Sequence, residues 1–116
     1  MLFIATDAEA ELGDELIGST DDVDVAAITE WISEGTRRGI HELGDRLRGP
    51  EDATTVRLRD HAVLVDDGPF AESKGWISGF DIVECADLDE AIDYVSRHPM
   101  ARNGRIEIRP FWPMDL

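Results

Sequence analysis

Two amphipathic helical patterns, each set between strand-like segments, constrain the fold of this 116-residue chain more than any other feature. Apolar residues recur at spacings of three and four at Val25, Ile28 and Ile32, which predicts a first helix. A second apolar stripe follows Asp87, a residue that suits the N-cap position of a helix. Short apolar or alternating runs before, between and after these patterns predict strands. The predicted order is therefore β-α-β-hairpin-β-α-β.

The strands are predicted from local alternation and from the turn residues that bound them. The predicted strands are residues 2–5, 40–47, 54–60, 62–65, 76–85 and 105–111. The third and fourth strands form a hairpin whose tight turn lies at Asp60 and His61. Two helices cover one face of such an antiparallel sheet, so we predict an α+β, ferredoxin-like fold. The other face is then either a solvated surface or a binding or dimer surface.

Length favours a single domain over residues 1–116, with an acidic loop or arm at about residues 7–22. The chain carries 26 Asp and Glu against 11 Lys and Arg, which gives a net charge of −15. Nucleic acid and anionic membranes are unlikely partners, because both are bound through clustered basic residues. The acidity is compatible with adaptation to high salt or with simple compositional drift.

Several common functional signals are missing from the sequence. The glycine patterns that bind nucleotides or phosphates do not occur, and the three histidines lack metal-ligand spacing, so we expect neither cofactor nor metal. The single cysteine, Cys85, cannot form an intrachain disulfide and is expected to pack as a small apolar residue. The N-terminus lacks the basic start of a signal peptide, and no apolar run reaches 18 residues. We therefore expect a cytoplasmic protein.

An ordered set of short motifs runs through the second half of the chain. The motifs are Asp67-Gly68-Pro69-Phe70, Gly79-Phe80, Asp87-Leu88-Asp89-Glu90-Ala91, His98-Pro99 and Glu107-Ile108-Arg109-Pro110. In this order they resemble the YCII-related family, in its DGPF-domain branch, over about residues 38–111. The resemblance implies a dimeric α+β barrel, in which two ferredoxin-like subunits pack sheet to sheet with a cleft beside the sheet face.

The resemblance also bears on catalysis and on partners. Some family members are proposed enzymes that use a His–Asp pair, and the aligned positions here hold Ile28 and His98. The family pair is therefore not retained, which leaves enzyme activity open. Gly75 also departs from the Glu or Gln that usually follows the motif lysine. Proteins of the branch are often encoded beside extracytoplasmic-function sigma factors, which implies a partner in transcription regulation.

Candidate site residues come from the motif loop, the end of the second helix and the uncovered sheet face. His98 is the candidate acid or base, with Asp67 or Glu107 to orient it. The candidate ligand-binding residues are Arg57, Arg59, Glu72, Lys74, Glu107 and Arg109. We expect His41 and His61 at the surface. A structure that brings His98, Asp67 and Arg109 to one pocket would favour an enzyme.

Three functions stay open at this point. The first is a small-ligand-binding or regulatory homodimer with a cleft at the dimer sheet face. The second is an isomerase- or lyase-type enzyme on a small organic acid, whose anionic group Arg57 or Arg109 would hold. The third is a partner of a transcription factor, bound through the acidic first 30 residues.

Overall fold

The computed structural model describes residues 1–8, 25–68 and 77–114. Its elements are β1 (Leu2–Ala8), α1 (Val25–Arg37), β2 (His41–Arg46), β3 (Thr54–Arg59), β4 (Ala62–Asp67), β5 (Ile77–Glu84), α2 (Leu88–Val95), α3 (Pro99–Asn103) and β6 (Arg105–Pro110). A 3₁₀ turn at Pro50–Asp52 precedes the β3–β4 hairpin. The predicted order is confirmed, with one helix added. Residues 7 and 8 belong to β1 and not to the expected acidic arm, whose residues 9–22 lie outside the described residues.

Four antiparallel strands form the main sheet in the order β2-β5-β1-β6, and β3 pairs with β4 in a separate two-stranded sheet. This arrangement confirms the α+β class and the ferredoxin-like fold predicted from the sequence. None of the helices in the described ranges has the length and hydrophobicity needed to cross a bilayer. Asp60 and His61 both adopt positive φ in the turn of the hairpin, as its tight two-residue connection requires.

The core lies between the main sheet and the helices. Within it, Trp31 of α1 packs against Tyr94 of α2 and forms hydrogen bonds with it. The indole N–H of Trp31 donates to the Tyr94 carbonyl at 2.8 Å, and the Tyr94 hydroxyl donates to the Trp31 carbonyl at 2.9 Å. Their rings stack with centroids 4.2 Å apart. Gly35 leaves the space that the Tyr94 hydroxyl occupies. Cys85 is buried in this core, as predicted.

The second predicted helix divides into α2 and α3. Asp87 caps α2 as predicted, because its carboxylate accepts from the Glu90 N–H at 2.9 Å. Pro99 begins α3 at the first-turn position that its fixed φ suits. His98 is therefore the N-cap of α3 and not a residue of the last turn of α2. This correction changes the environment of the candidate histidine.

The β3–β4 hairpin carries an exposed apolar face. Cross-strand pairing places Val56 opposite Val65 and Leu58 opposite Val63, on the face away from Arg57. All four side chains of this hairpin apolar face are more than 60% exposed. The alternation expected from the sequence is confirmed, and a two-stranded ribbon of this kind gains little stability by itself.

Candidate functional site

A cavity of about 330 Å³ opens on the helix-covered side of the main sheet, between α1, α3 and strands β1, β2 and β5. Its apolar side chains include Ile28, Ile32 and Met100, and its ionisable side chains are Asp7, Arg46, Asp81 and His98, while Asp45 and Phe80 pair with each other and alternate with the residues that face the cavity. This cavity differs in place from the cleft expected at the sheet face of a dimer. That cleft requires a second subunit and stays a prediction.

Asp7 enters the cavity because β1 continues its alternation beyond the apolar core. Phe3, Ala5 and Asp7 share the helix side of the strand, and Asp7 is 7% exposed. Its Oδ1 is buried without a hydrogen-bond partner among the described residues. Burial and then the negative charge of Asp81 raise the pKa of Asp7 from 3.8 to about 7. At neutral pH this carboxyl therefore exchanges readily between its protonated and ionised forms.

Asp81 stands beside Asp7 on the central strand β5, in phase with the buried Val83. His41 Nε2 lies 2.8 Å from Asp81 Oδ1, and the His41 side chain is only 6% exposed. The expectation that His41 lies at the surface is therefore wrong. The ring of His41 also packs edge-on to Trp31, with centroids 5.6 Å apart. Burial raises the pKa of Asp81, and the hydrogen bond and charge of His41 oppose that rise.

His98 faces the two carboxyl groups in a defined tautomer. Its Nδ1 accepts from the Met100 N–H at 2.9 Å, so Nδ1 carries no proton. Burial, and to a smaller degree His41, lowers the pKa of His98 from 6.5 to about 4. The ring is thus neutral at neutral pH, and its proton is on Nε2. This Nε2 lies 3.5 Å from Asp7 Oδ2 and 3.8 Å from Asp81 Oδ2.

Two glycines on neighbouring strands make room for the carboxyl groups. Gly44 pairs with Asp81, and a Cβ at Gly44 would collide with the Asp81 carboxylate. Gly79 pairs with Asp7, and a Cβ there would lie 3.2 Å from Asp7 Oδ2 and 3.0 Å from the Asp45 carbonyl oxygen. The absence of side chains at these two positions therefore lets the carboxyl groups pack across the strands.

The three groups could in principle hold a metal ion, because ligand atoms of Asp7, Asp81 and His98 lie within 4.8 Å of one another. A metal ion would require the lone pair of His98 Nε2. The hydrogen bond from Met100 to Nδ1 instead places the ring proton on Nε2. The geometry therefore favours proton chemistry at this cluster over coordination of a metal.

Of the candidate residues named from the sequence, His98 lines the cavity, and the other described ones do not. Arg57 pairs with Asp66 at 2.8 Å across the hairpin, and Arg59 donates to the Leu58 carbonyl at 2.9 Å. Glu107 and Arg109 pair with each other on β6. Asp67 is the last residue of β4, and Gly68 follows it at the end of the hairpin. Those outside the described residues are Pro69, Phe70, Glu72 and Lys74.

Sequence reasoning missed Asp7, Asp81 and His41. The available signal was a charged residue at an inward-facing position of each central strand, since Asp7 follows Phe3 and Ala5 and Asp81 precedes Val83. In an acidic chain, single carboxylates carry little information on their own. The structure shows that these two are buried.

Comparison with known proteins places the chain in context. The model of the YCII-related domain family matches residues 6–115. An uncharacterised protein of Rhizobium meliloti (strain 1021) is 42% identical over 67 residues, which cover 56% of this chain and 54% of that protein. The match thus spans about half the length of the curated relative.

A solved structure shares the fold at low sequence identity. It is the 5-chloro-2-hydroxyhydroquinone dehydrochlorinase of Burkholderia phenoliruptrix AC1100, in complex with 2,5-dihydroxybenzoquinone. The likeness has a TM-score of 0.55 at 15% identity and covers 97% of this chain and 94% of the other.

Proposed function

The chain belongs to the YCII-related family, and within that family we propose that it is an enzyme of isomerase or lyase type that moves a proton on a small organic molecule. The proposal depends chiefly on one observation: the buried, unpartnered Asp7 Oδ1 in the cavity, beside the N–H donor of His98. The shared fold of a dehydrochlorinase, an enzyme that acts on a small molecule, supports it.

Asp7 is the proton acceptor in this mechanism. A general base works best when its pKa lies near the operating pH, and burial has brought the pKa of Asp7 to about 7. The ionised carboxylate takes a proton from a carbon next to a carbonyl group, and the electron pair of that C–H bond moves to form an enolate. Returning the proton to another atom completes an isomerisation, and expelling a leaving group completes an elimination.

His98 holds the oxygen on which the negative charge develops. Its Nε2–H donor is fixed by the hydrogen bond at Nδ1, so it needs no rearrangement during the step. Loss of one such donor typically costs about 3 kcal/mol of transition-state stabilisation. The role differs from the acid–base role expected from the sequence, because a ring whose pKa is lowered to about 4 is a poor proton acceptor.

A non-catalytic ligand-binding or regulatory role would use the same cavity without proton transfer. The role as a transcription-factor partner stays a prediction, since residues 9–24 lie outside the described part of the chain. We also propose that the chain forms a homodimer, which the hairpin apolar face of Val56, Leu58, Val63 and Val65 supports.

Hydrogen–deuterium exchange tests the proposed chemistry without knowledge of the natural substrate. The probe is 2-hydroxycyclohexanone in D₂O, and proton NMR follows loss of the hydrogens next to its carbonyl group. We expect wild-type protein to accelerate exchange over buffer and Asp7→Asn to lose about 10² or more of that acceleration. Asp89→Asn, an exposed change on α2, is the matched control.

Two results would count against the enzyme. Asp7→Asn could exchange the probe as fast as wild type, which would remove Asp7 from the chemistry. Wild type could also exchange the probe no faster than buffer while NMR shows that it binds, which would favour the non-catalytic role.

A further inference from the structure

We propose that the cavity selects an uncharged, single-ring molecule that carries an acidic hydroxyl group, a phenol or an enol, and discriminates against carboxylates of the same size. The inference builds on the proposed function because it uses the same cavity. It concerns the class of ligand: the need for a hydroxyl group holds whether or not a reaction follows, and the need for an acidic hydroxyl applies where its proton moves.

The charges that line the cavity oppose an anion. The carboxyl groups buried in its wall are those of Asp7 and Asp81, each in a residue less than 10% exposed. A bound anion favours the protonated form of the neighbouring Asp7 carboxyl, so its binding should weaken as pH rises above the Asp7 pKa of about 7. Arg46 is exposed and lies at the rim, so solvent screens its attraction for an anion.

The arginines expected to hold an anionic substrate lie elsewhere. Arg57 is on the hairpin and already pairs with Asp66, and Arg109 is on β6 and already pairs with Glu107. Neither lines the cavity. The expectation of an anionic ligand therefore has no support in the charges around this cavity.

The donor and acceptor in the cavity match a hydroxyl group. His98 Nε2 and Asp7 Oδ2 are 3.5 Å apart, which exceeds an ordinary hydrogen bond and leaves both able to contact one ligand oxygen. That oxygen must accept from the Nε2–H and donate to the Asp7 carboxylate. A hydroxyl does both, whereas an ether or carbonyl oxygen only accepts and an ammonium group only donates.

The hydroxyl must also be acidic if its proton is to move. A phenol has a pKa of about 10, so proton transfer to Asp7 is unfavourable by only about 10³. Water, whose pKa is about 16, represents an aliphatic alcohol, for which the same transfer is unfavourable by about 10⁹. The apolar lining from Ile28, Ile32 and Met100 suits the ring that makes such a hydroxyl acidic.

A panel of three para-substituted toluenes separates these features. The probes are 4-methylphenol, 4-methylanisole, which lacks the hydroxyl proton, and 4-methylbenzoate, which carries the charge. Dissociation constants come from ligand-observed NMR on the full-length protein at pH 7.5. We expect 4-methylphenol to bind at least tenfold more tightly than either of the other two.

Asp7→Asn tests the charge argument in the same panel. Removing the carboxylate should improve 4-methylbenzoate binding by up to about fourfold at pH 7.5, the limit for a group of pKa about 7, and should weaken 4-methylphenol binding, because the asparagine carbonyl accepts without a negative charge. A cooperative urea-unfolding transition shows that the variant is folded. Asp89→Asn should leave all three constants unchanged, since Asp89 is exposed on α2.

The ligand class would be overturned by three results: 4-methylbenzoate binding as tightly as 4-methylphenol, no improvement of 4-methylbenzoate binding in Asp7→Asn, or no binding of 4-methylphenol at millimolar concentration. Its failure is distinct from failure of the enzyme proposal. Exchange of 2-hydroxycyclohexanone without selectivity in the panel would retain the enzyme and remove the ligand class, and the reverse pattern would do the opposite.

Discussion

Asp7→Asn and His98→Asn should change the pH dependence of stability in opposite directions. The pKa of Asp7 is raised from 3.8 to about 7, so the folded state holds this proton more tightly than the unfolded state. Its stabilising contribution is present below pH 4 and is lost as pH rises to about 7. At 1.36 kcal/mol per pKa unit, the full loss is about 4 kcal/mol.

The contribution of His98 has the opposite sign. Its pKa is lowered from 6.5 to about 4, so the folded state resists protonation and stability increases as pH rises from about 4 to 6.5. The full change is about 3 kcal/mol. The two windows overlap, and in wild type the two contributions nearly cancel. Each single substitution should therefore reveal the contribution of the group that remains.

Urea unfolding followed by tryptophan fluorescence, at fixed protein concentration from pH 5 to pH 7, measures this directly. Between pH 5 and pH 7, the free energy of unfolding of Asp7→Asn should rise by about 2 kcal/mol relative to that of wild type. The free energy of unfolding of His98→Asn should fall by about 2 kcal/mol relative to wild type over the same range. Asparagine is chosen at position 98 because it can still cap α3. Differences that stay flat, or that slope in the same direction for both variants, would refute the assignment of charge states in the cluster.

Three further substitutions test the packing and the assembly. Gly44→Ala should lower the free energy of unfolding by about 2 kcal/mol or more, because the added methyl group meets the Asp81 carboxylate; wild-type stability would show that this close packing is unimportant. Tyr94→Phe should cost about 1–2 kcal/mol in the same urea measurement, because it removes a buried hydrogen bond between the Tyr94 hydroxyl and the Trp31 carbonyl; an unchanged midpoint would contradict this. Val63→Lys should convert the proposed dimer to a monomer near 12.9 kDa by light scattering, whereas Leu64→Lys on the other hairpin face should not; a wild-type monomer at both low and high salt would end the dimer proposal.

Much of the fold follows from patterns within a few residues of each other. The apolar stripe from Val25 to Ile32 predicted α1, and the alternation in residues 54–65 predicted the hairpin and its turn, and the structure contains both. The Asp87 cap was also visible, because a cap acts on the N–H groups two or three residues ahead of it. The division of the second helix was missed because the preference of proline for a helix start and its tendency to end a helix predict different structures at the same residue.

The candidate site could be predicted only in part. The sequence identifies His98 as the candidate acid or base, and this residue lines the cavity. Its proposed partners, Asp67 and Arg109, were chosen from motifs, and the structure places them on the hairpin and on β6. The sequence does not distinguish Asp7 and Asp81 from the other acidic residues, 26 in all, because only their burial in the folded chain sets them apart.

The sequence by itself determined most of the elements, their order and the family, since periodicity, caps and ordered motifs are local properties of the chain. Only the tertiary structure decided which ionisable groups meet in the candidate site. Asp7, His41, Asp81 and His98 come from separate parts of the chain, and folding brings Asp7 and His98, 91 positions apart, within 3.5 Å. The pKa of Asp7 depends on burial and on a neighbouring charge, and neither exists until the strands and helices have packed.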